Sequence, residues 1–306
     1  MTVDPLTQLL SLDGVRAAAP ASEETLVEIS RALGASLPDV IVRLWRTTDG
    51  LALEPLDAHI LGAREALGLI TETDWRNALT PRGFLPIVDD HQANYCAVVV
   101  KEPLACRVAH VPHDDATRLL YRDFDACVGA IIDGMNGDES LDGLLYRTDG
   151  DFDPDTPRSI EDQRAARALI ATDGGHEEWN YAAQLLDATN VAEFAVLLET
   201  GHFVRREVRA RMQQMSSPAI KALLKQDETE FSDFVYLFTA AAKAAGLKVG
   251  ALQERKVLQV NGRWIDLEGY FHRRKIPDAI QRMIAWLQDQ SAGRDPRKRI
   301  GHFMAD

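Results

Sequence analysis

The sequence has few cysteines and lacks the short motifs that mark common catalytic sites. Its three cysteines, Cys96, Cys106 and Cys127, form no CxxC pair. We therefore expect free, buried thiols that act as small apolar side chains, not disulfides or metal ligands. The sequence contains no GxxxxGK[ST] phosphate loop, no GxGxxG turn, no GxSxG elbow and no HExxH motif. These absences argue against an enzyme, and we predict no catalytic residue, no metal and no cofactor.

Long apolar segments are also missing. The longest purely apolar runs span only a few positions, whereas a helix that crosses a bilayer needs about 20. The first residues, MTVDPLTQLL, have neither a basic start nor a long apolar core. We expect a cytoplasmic protein that does not enter the membrane. Its 306 residues, 46% hydrophobic and 26% charged, suffice for two globular domains.

Positive charge is scarce in the first half of the chain. Residues 1–150 contain 24 Asp and Glu against 12 Lys and Arg, a net charge of -12, whereas residues 151–306 contain 23 against 22, a net charge of -1. An acidic surface repels nucleic acid and speeds the encounter with a basic protein. Two interpretations remain open: the charge serves solubility alone, or it attracts a basic partner. The oligomeric state is not predicted.

A short helix-loop-helix is predicted between residues 22 and 50. The first helix begins after a Ser22 cap and ends at Gly34. The second begins at Pro38 and ends at a left-handed Asp49-Gly50 cap. Apolar residues lie at helical spacing in both segments: Leu26, Ile29 and Leu33 in the first, and Ile41, Leu44 and Trp45 in the second.

Strands and helices follow along the rest of the first half. Strands are predicted at 58–61, 84–88, 95–101 and about 106–111, a helix at 63–79, and a hairpin loop at 89–94. A helix from Asp123 carries an apolar stripe. The stripe consists of Phe124, Cys127, Val128, Ile131 and Ile132. These elements predict an α+β fold, an antiparallel sheet with flanking helices gathered on one side.

This order of motifs resembles the start of the SUKH superfamily, which covers bacterial toxin-immunity proteins and fungal cell-wall synthesis regulators. The resemblance covers about residues 20–135 and no more of the chain. It rests on "LG" at 33–34, "LP" at 37–38, the helix with Trp45, "DG" at 49–50 where the family more often has Asn-Gly, and the stretches 83–100 and 121–132. It implies a compact domain that holds a protein partner and makes or breaks no bond.

The resemblance does not reach the second half, which is predicted to be mostly helical. A stretch rich in Gly, Pro and Asp from 133 to 157 places the domain boundary at about residue 150, giving domains 1–150 and 151–306. Asn261-Gly262 predicts one small β-hairpin at 256–267. Helices are predicted after Ser159, around Trp179, after Asn190, around Val208, from Ser217-Pro218, from 230 to 245, and from Pro277. The type of this second domain is unknown.

Three acidic segments are predicted to contact the partner. The predicted contact residues are Glu54, Asp57, Asp89, Asp90, Asp114 and Asp115. They would face the basic surface that a toxin, such as a nuclease, uses for its own substrate, so the mechanism implied by the resemblance is occlusion. The alternative is a housekeeping regulatory or scaffold protein, as in the fungal branch. Trp45, Gly50 and Phe124 are assigned to the fold.

Two further polar groups have a functional and a structural interpretation. The segment His110 to Asp115 contains metal-binding residue types, but Pro112 excludes a helix and an exposed loop is favoured. Basic residues at 205, 206, 209 and 211 form an arginine patch that could hold phosphate or the acidic domain, with a solvated helix face favoured. A less favoured enzyme hypothesis places a pocket in the second half, lined by His176, Glu177 and Trp179 or by the arginine patch.

Overall fold

The computed structural model describes residues 4–114, 116–137, 150–171, 176–188, 190, 210–253, 257–267, 284–285 and 287–288. The chain divides into two compact units, residues 1–186 and 187–306. Composition had predicted a boundary near residue 150. The described residues just beyond that point belong to the first unit, where Phe152 is 2% exposed and the ring of Tyr181 lies 5.9 Å from that of Phe84.

The first unit contains one seven-stranded antiparallel sheet in which each strand pairs with its neighbours in sequence. Its strands are β1 Val15–Ala17, β2 Leu51–Leu53, β3 Ala58–Ile60, β4 Phe84–Asp89, β5 Tyr95–Val99, β6 Val108–Val111 and β7 Arg118–Tyr121. Its helices are α1 Pro5–Leu10, α2 Glu23–Leu33, α3 Asp39–Thr47, α4 Ala63–Thr71, α5 Thr73–Ala78, α6 Phe124–Asn136, α7 Ile160–Ala171 and α8 His176–Gln184. The predicted α+β class is confirmed.

Both faces of the sheet are covered, not one as predicted. Consecutive residues of β4, β5 and β6 are buried, the pattern of strands covered on both sides. Tyr95 of β5 meets Trp75 of α5 edge to face, with ring centroids 5.3 Å apart. The next residue, Cys96, points to the other face and contacts Cys127 of α6. The hydrogen bond between the Cys127 thiol and Cys96, together with burial, raises the pKa of Cys127 well above its ordinary value.

Local capping explains the predicted helix-loop-helix. The Ser22 hydroxyl accepts the Thr25 N–H at 3.2 Å, and Gly34 ends α2 in the left-handed conformation. The second helix ends at Thr47, two residues before the predicted cap. Gly50 instead has a φ of 109° in the turn into β2, where a Cβ would lie 3.2 Å from the Gly62 nitrogen and the Ile60 oxygen. This close approach of two main chains explains the need for glycine.

Other boundaries also differ from the predicted ones. The helix predicted at 63–79 is two helices, because Glu72 is extended and divides α4 from α5. The strand predicted from Cys106 begins at Val108, so Cys106 is exposed and not buried. Strands β1, β2 and β7 were not predicted.

The second unit packs a long helix on a small sheet. Helix α9, Pro218–Ala244, is continuous where two helices were predicted. The predicted hairpin is confirmed as β9 Val257–Val260 and β10 Arg263–Asp266, and an unpredicted strand β8 Val249–Leu252 extends it. The shared core contains Phe231, Phe234, Phe238, Leu258, Val260, Ile265 and Leu267. The helix predicted after Asn190 lies outside the described residues, and so does most of the one predicted from Pro277, of which residues 284–285 and 287–288 are helical.

Candidate functional site

Three turns lie at one end of the first sheet because its strands are antiparallel and sequential. Leu53 at the end of β2 pairs with Ala58 at the start of β3. His59 pairs with Asp89 at the end of β4, so the turn after β4 lies beside the turn before β3. The start of β5 pairs likewise with the end of β6. We call this surface the turn end, formed by residues 54–57, 89–94, 112–114 and 116–117.

Five of the six acidic residues predicted to bind a partner lie at the turn end. Those that the structure describes there are Glu54, Asp57, Asp89, Asp90 and Asp114. Up to 60 residues apart in sequence, they come together because every second connection of the sheet returns to this end. Asp115 lies outside the described residues.

The first turn exposes two of these carboxylates. A 3-10 turn at Glu54–Leu56 connects β2 to β3 and ends at Asp57, which has a left-handed φ of 49°. Glu54 Oε1 lies 2.7 Å from Arg16 Nη2, and the two side chains are 49% and 76% exposed. A pair this exposed has a weak attraction, so Glu54 remains accessible to another cation.

The second turn is built around the carboxylate of Asp90. This side chain is 5% exposed and accepts three hydrogen bonds: from Gln92 N at 2.8 Å, Asn94 N at 3.0 Å and Asn94 Nδ2 at 2.7 Å. Hydrogen bonds to a carboxylate are about twice as strong as neutral ones, so Asp90 fixes the turn from within. Asp89, which is half-buried, accepts the His91 N–H at 2.8 Å.

Asn94 joins the second turn to the third. Its Oδ1 accepts the His113 N–H at 3.2 Å, while its own Nδ2 donates to Asp90. His113 is followed by Asp114, whose side chain is 72% exposed and lies 3.8 Å from His113 Nε2. Asp114 therefore projects from a turn held by Asn94.

The electrostatic effect of these carboxylates reaches Tyr95 at the start of β5. Burial raises the pKa of the Tyr95 hydroxyl, and the negative charges of Asp89, Glu72 and Asp90 raise it further. A field that opposes a new negative charge favours an approaching positive one.

The metal site considered from His110 to Asp115 does not assemble from its described members. His110 is 1% exposed within β6, whereas the His113 side chain is 57% exposed in the turn. Sequence reasoning missed a different histidine pair: the rings of His59 and His91 stack with centroids 4.7 Å apart. The two residues are 32 positions apart, and only the pairing of β3 with β4 brings them together.

The remaining candidates divide between the fold and the undescribed residues. Trp45 and Phe124 are buried, at 0% and 1% exposure, in agreement with their assignment to the fold. Arg211 is 5% exposed and its Nη1 donates to Gln214 Oε1 at 3.2 Å, so it is not part of a solvated face. The other three arginines of the patch, and the side chains of His176, Glu177 and Trp179, lie outside the described residues.

No helix in the described parts of the chain is both long enough and apolar enough to span a bilayer.

Comparison with known proteins identifies a family for part of the first unit. A search of the curated proteins found no match. The model of the SMI1 / KNR4 family (SUKH-1) matches residues 20–128. The matched region runs from the start of the helix-loop-helix into α6 and contains the whole of the turn end. Residues 20–128 therefore belong to the SUKH superfamily, whose members are in general immunity-type or regulatory proteins.

Proposed function

We propose that the chain is an immunity-type protein whose turn end binds a basic toxin and neutralises it by occlusion. The observation that carries the proposal is the convergence of three acidic turns on one end of the SUKH-1 sheet. A toxin that acts on nucleic acid needs a basic surface for its phosphates. A partner that covers this surface blocks the substrate without any chemistry.

Three exposed carboxylates make the contact. Glu54, Asp57 and Asp114 face solvent, and Asp89 lies half-buried beside them. Asp90 is bound within its own turn, so it holds the surface in shape and contacts the partner less directly. Turns held by internal hydrogen bonds lose little conformational entropy on binding, which favours affinity.

A charge-reversed variant tests the proposal. The turn-end variant combines Glu54→Lys, Asp57→Asn and Asp114→Lys; asparagine is chosen at Asp57 because it tolerates a positive φ. The control variant combines Glu24→Gln, Glu28→Lys and Glu102→Lys, exposed positions on α2 and in the β5–β6 connection. Both variants change the net charge equally, and thermal unfolding verifies that both fold.

The original chain and the two variants are each used as bait to capture proteins from extracts of the native cells. Each captured protein is then identified and expressed in cells without the original chain. We expect a basic protein that the original chain and the control variant capture and the turn-end variant does not. Its expression should stop growth unless the original chain is co-expressed. Capture of no basic protein, or equal capture by all three baits, would contradict the proposal.

The alternative is a regulatory or scaffold protein that docks a client through the same surface. It is favoured by the second compact unit, residues 187–306, which the family match does not reach and which provides a separate surface. The same experiment separates the two functions. A captured basic protein that is harmless when expressed alone indicates a client, whereas one that arrests growth indicates a toxin.

A further inference from the structure

We propose that His59, Asp89 and His91 form a binding site for a divalent transition metal of the zinc class at the turn end. One donor atom from each residue lies within 4.8 Å of the other two. The sequence predicted no metal, since these residues show no ligand spacing. The proposal concerns the chain alone and does not depend on the identity of a partner.

Two features of the backbone bring the three side chains together: the register of β3 with β4, and the left-handed conformation of His91. His59 of β3 and Asp89 of β4 are directly opposite in the antiparallel ladder, where side chains share a face and Cβ atoms are about 5 Å apart. His91 adopts a left-handed φ of 60°, and its N–H donates to Asp89 Oδ1 at 2.8 Å. This bend returns the His91 ring over that of His59, at an interplanar angle of 19°.

The hydrogen bonding of His59 is incomplete in the way expected of a metal ligand. Its Nδ1 is buried and has no hydrogen-bond partner within the described chain. Its Nε2 faces the Glu65 carboxylate at 3.9 Å, and Glu65 Oε2 is itself held by the Gly62 N–H at 2.9 Å. A carboxylate beside one ring nitrogen and a metal on the other is a recurring arrangement for histidine ligands. At 3.9 Å the Glu65 carboxylate is beyond hydrogen-bond distance, but it lies on the side of the ring where a positioning carboxylate would stand.

The donor set selects the class of metal. Two imidazoles and one carboxylate suit Zn²⁺, Co²⁺ or Ni²⁺, whereas Ca²⁺ and Mg²⁺ prefer oxygen ligands alone. Bonds of about 2.1 Å in a tetrahedral zinc site place donors roughly 3.4 Å apart. On binding, the donor atoms therefore close by up to about 1.4 Å. The stacked rings hold their nitrogen lone pairs in nearly parallel planes, so the exposed His91 ring must also turn. The His59 side chain is 21% exposed but its Nδ1 is buried, so an ion reaches this atom only when a neighbouring side chain moves.

Binding of an ion would connect β3 to the turn after β4. The ligands come from a strand and from the segment that leads into the Asp90-centred turn, so the metal would act as a cross-link between them. Anything that binds only the folded state raises its stability. The ion would also place a double positive charge among the acidic side chains, so zinc would lower the attraction of the turn end for basic ligands.

Titration calorimetry with zinc chloride on the full-length, chelator-treated chain tests the proposal. His91→Asn is the central variant, because asparagine tolerates the positive φ and is a poor zinc ligand. Asp89→Asn is a second variant. The matched control is His113→Ala, an exposed histidine at the same end of the sheet but outside the cluster.

We expect one zinc site that is weakened about tenfold or more in His91→Asn and Asp89→Asn and unchanged in His113→Ala. Cobalt should give the visible absorption bands of a tetrahedral ion, and His91→Asn should lose them. Zinc should raise the melting temperature of the original chain more than that of His91→Asn. Failure to bind zinc, or binding that His91→Asn leaves unchanged, would overturn the proposal.

Discussion

The indole Nε1 of Trp45 donates a hydrogen bond to the main-chain oxygen of Leu61, at 3.0 Å, inside the core of the first unit. The bond joins α3 to the residue after β3. Leu61 itself donates its N–H to Ile87 of β4 at 2.7 Å, so one tryptophan connects the helix-loop-helix to two neighbouring strands. Trp45 therefore holds the helical part of the SUKH-1 region on its sheet.

Trp45→Phe should lower the free energy of unfolding by about 2–4 kcal/mol, because it leaves a cavity and a buried oxygen without its donor. Urea titration followed by circular dichroism measures the change. The control is Trp264→Phe on β10, where the side chain is 55% exposed and the expected loss is about 0.5 kcal/mol or less. Equal losses at the two tryptophans would contradict this role for Trp45.

Arg107 should anchor α7 to the sheet. Its Nη2 lies 2.7 Å from Asp162 Oδ1, and the two side chains are only 9% and 14% exposed. Arg107→Ala leaves a buried carboxylate without its cation, so we expect a loss of about 3–5 kcal/mol in the free energy of unfolding.

The comparison for Arg107 is the exposed pair of Arg46 and Glu23. Their side chains are 58% and 66% exposed, so Arg46→Ala should change stability little, although Arg46 lowers the pKa of Glu23. An equally small loss in the free energy of unfolding for Arg107→Ala and Arg46→Ala would show that α7 does not depend on the contact between Arg107 and Asp162.

Asp90→Ala should loosen the second turn, because three hydrogen bonds to one carboxylate disappear together. We expect the free energy of unfolding to fall by about 2–4 kcal/mol. Hydrogen exchange should quicken at the amides of Gln92, Asn94 and His113, the last through Asn94. Asp114→Ala, which removes a neighbouring exposed carboxylate, should leave these amides unchanged. Unaltered exchange in Asp90→Ala would show that the turn has another support.

Cysteine labelling should distinguish Cys106 from the two buried thiols. Cys106 is exposed, but partial burial and then the charge of Glu102 raise its pKa above the ordinary value of 9.0. A raised pKa means less thiolate at any given pH, so its reaction should be slower than that of a free cysteine and should accelerate only at higher pH.

Glu102→Gln should shift the pH dependence of the Cys106 labelling rate toward lower pH, because it removes one of the charges that disfavour the thiolate. Cys106→Ala should abolish labelling of the folded chain, since Cys96 and Cys127 are buried and should react only in denaturant. Rapid labelling of Cys96 or Cys127 under native conditions would contradict the packing of α6 on the sheet.

The parts of the fold that were predictable from sequence are those fixed by local chemistry. Helix α2 begins after Ser22 and ends at Gly34. These limits were predictable because a cap hydroxyl and a left-handed glycine act within one turn of helix. Asn261 and Gly262, with φ values of 48° and 80°, form the turn that their residue types predict. The three-residue strands β1 and β2 have no such signal, since an alternation of burial needs more positions to be recognised.

The candidate site was predictable only in part, for the same reason. Charge and turn residues indicated the acidic segments, but their convergence depends on the number of strands between them. Asp90 looked like a contact residue, and only the structure shows its carboxylate bound inside the turn. The pairing of His59 with Asp89 depends on strand register, which the sequence did not reveal.

The most direct test of the central claim is the salt dependence of association between this chain and the basic protein that it captures. Surface plasmon resonance measures the association rate constant at increasing salt concentration. This constant should fall steeply for the original chain and for the control variant. The turn-end variant should associate more slowly and with little salt dependence. Equal rates and equal salt dependence for all three proteins would contradict the claim that the turn end recognises the partner.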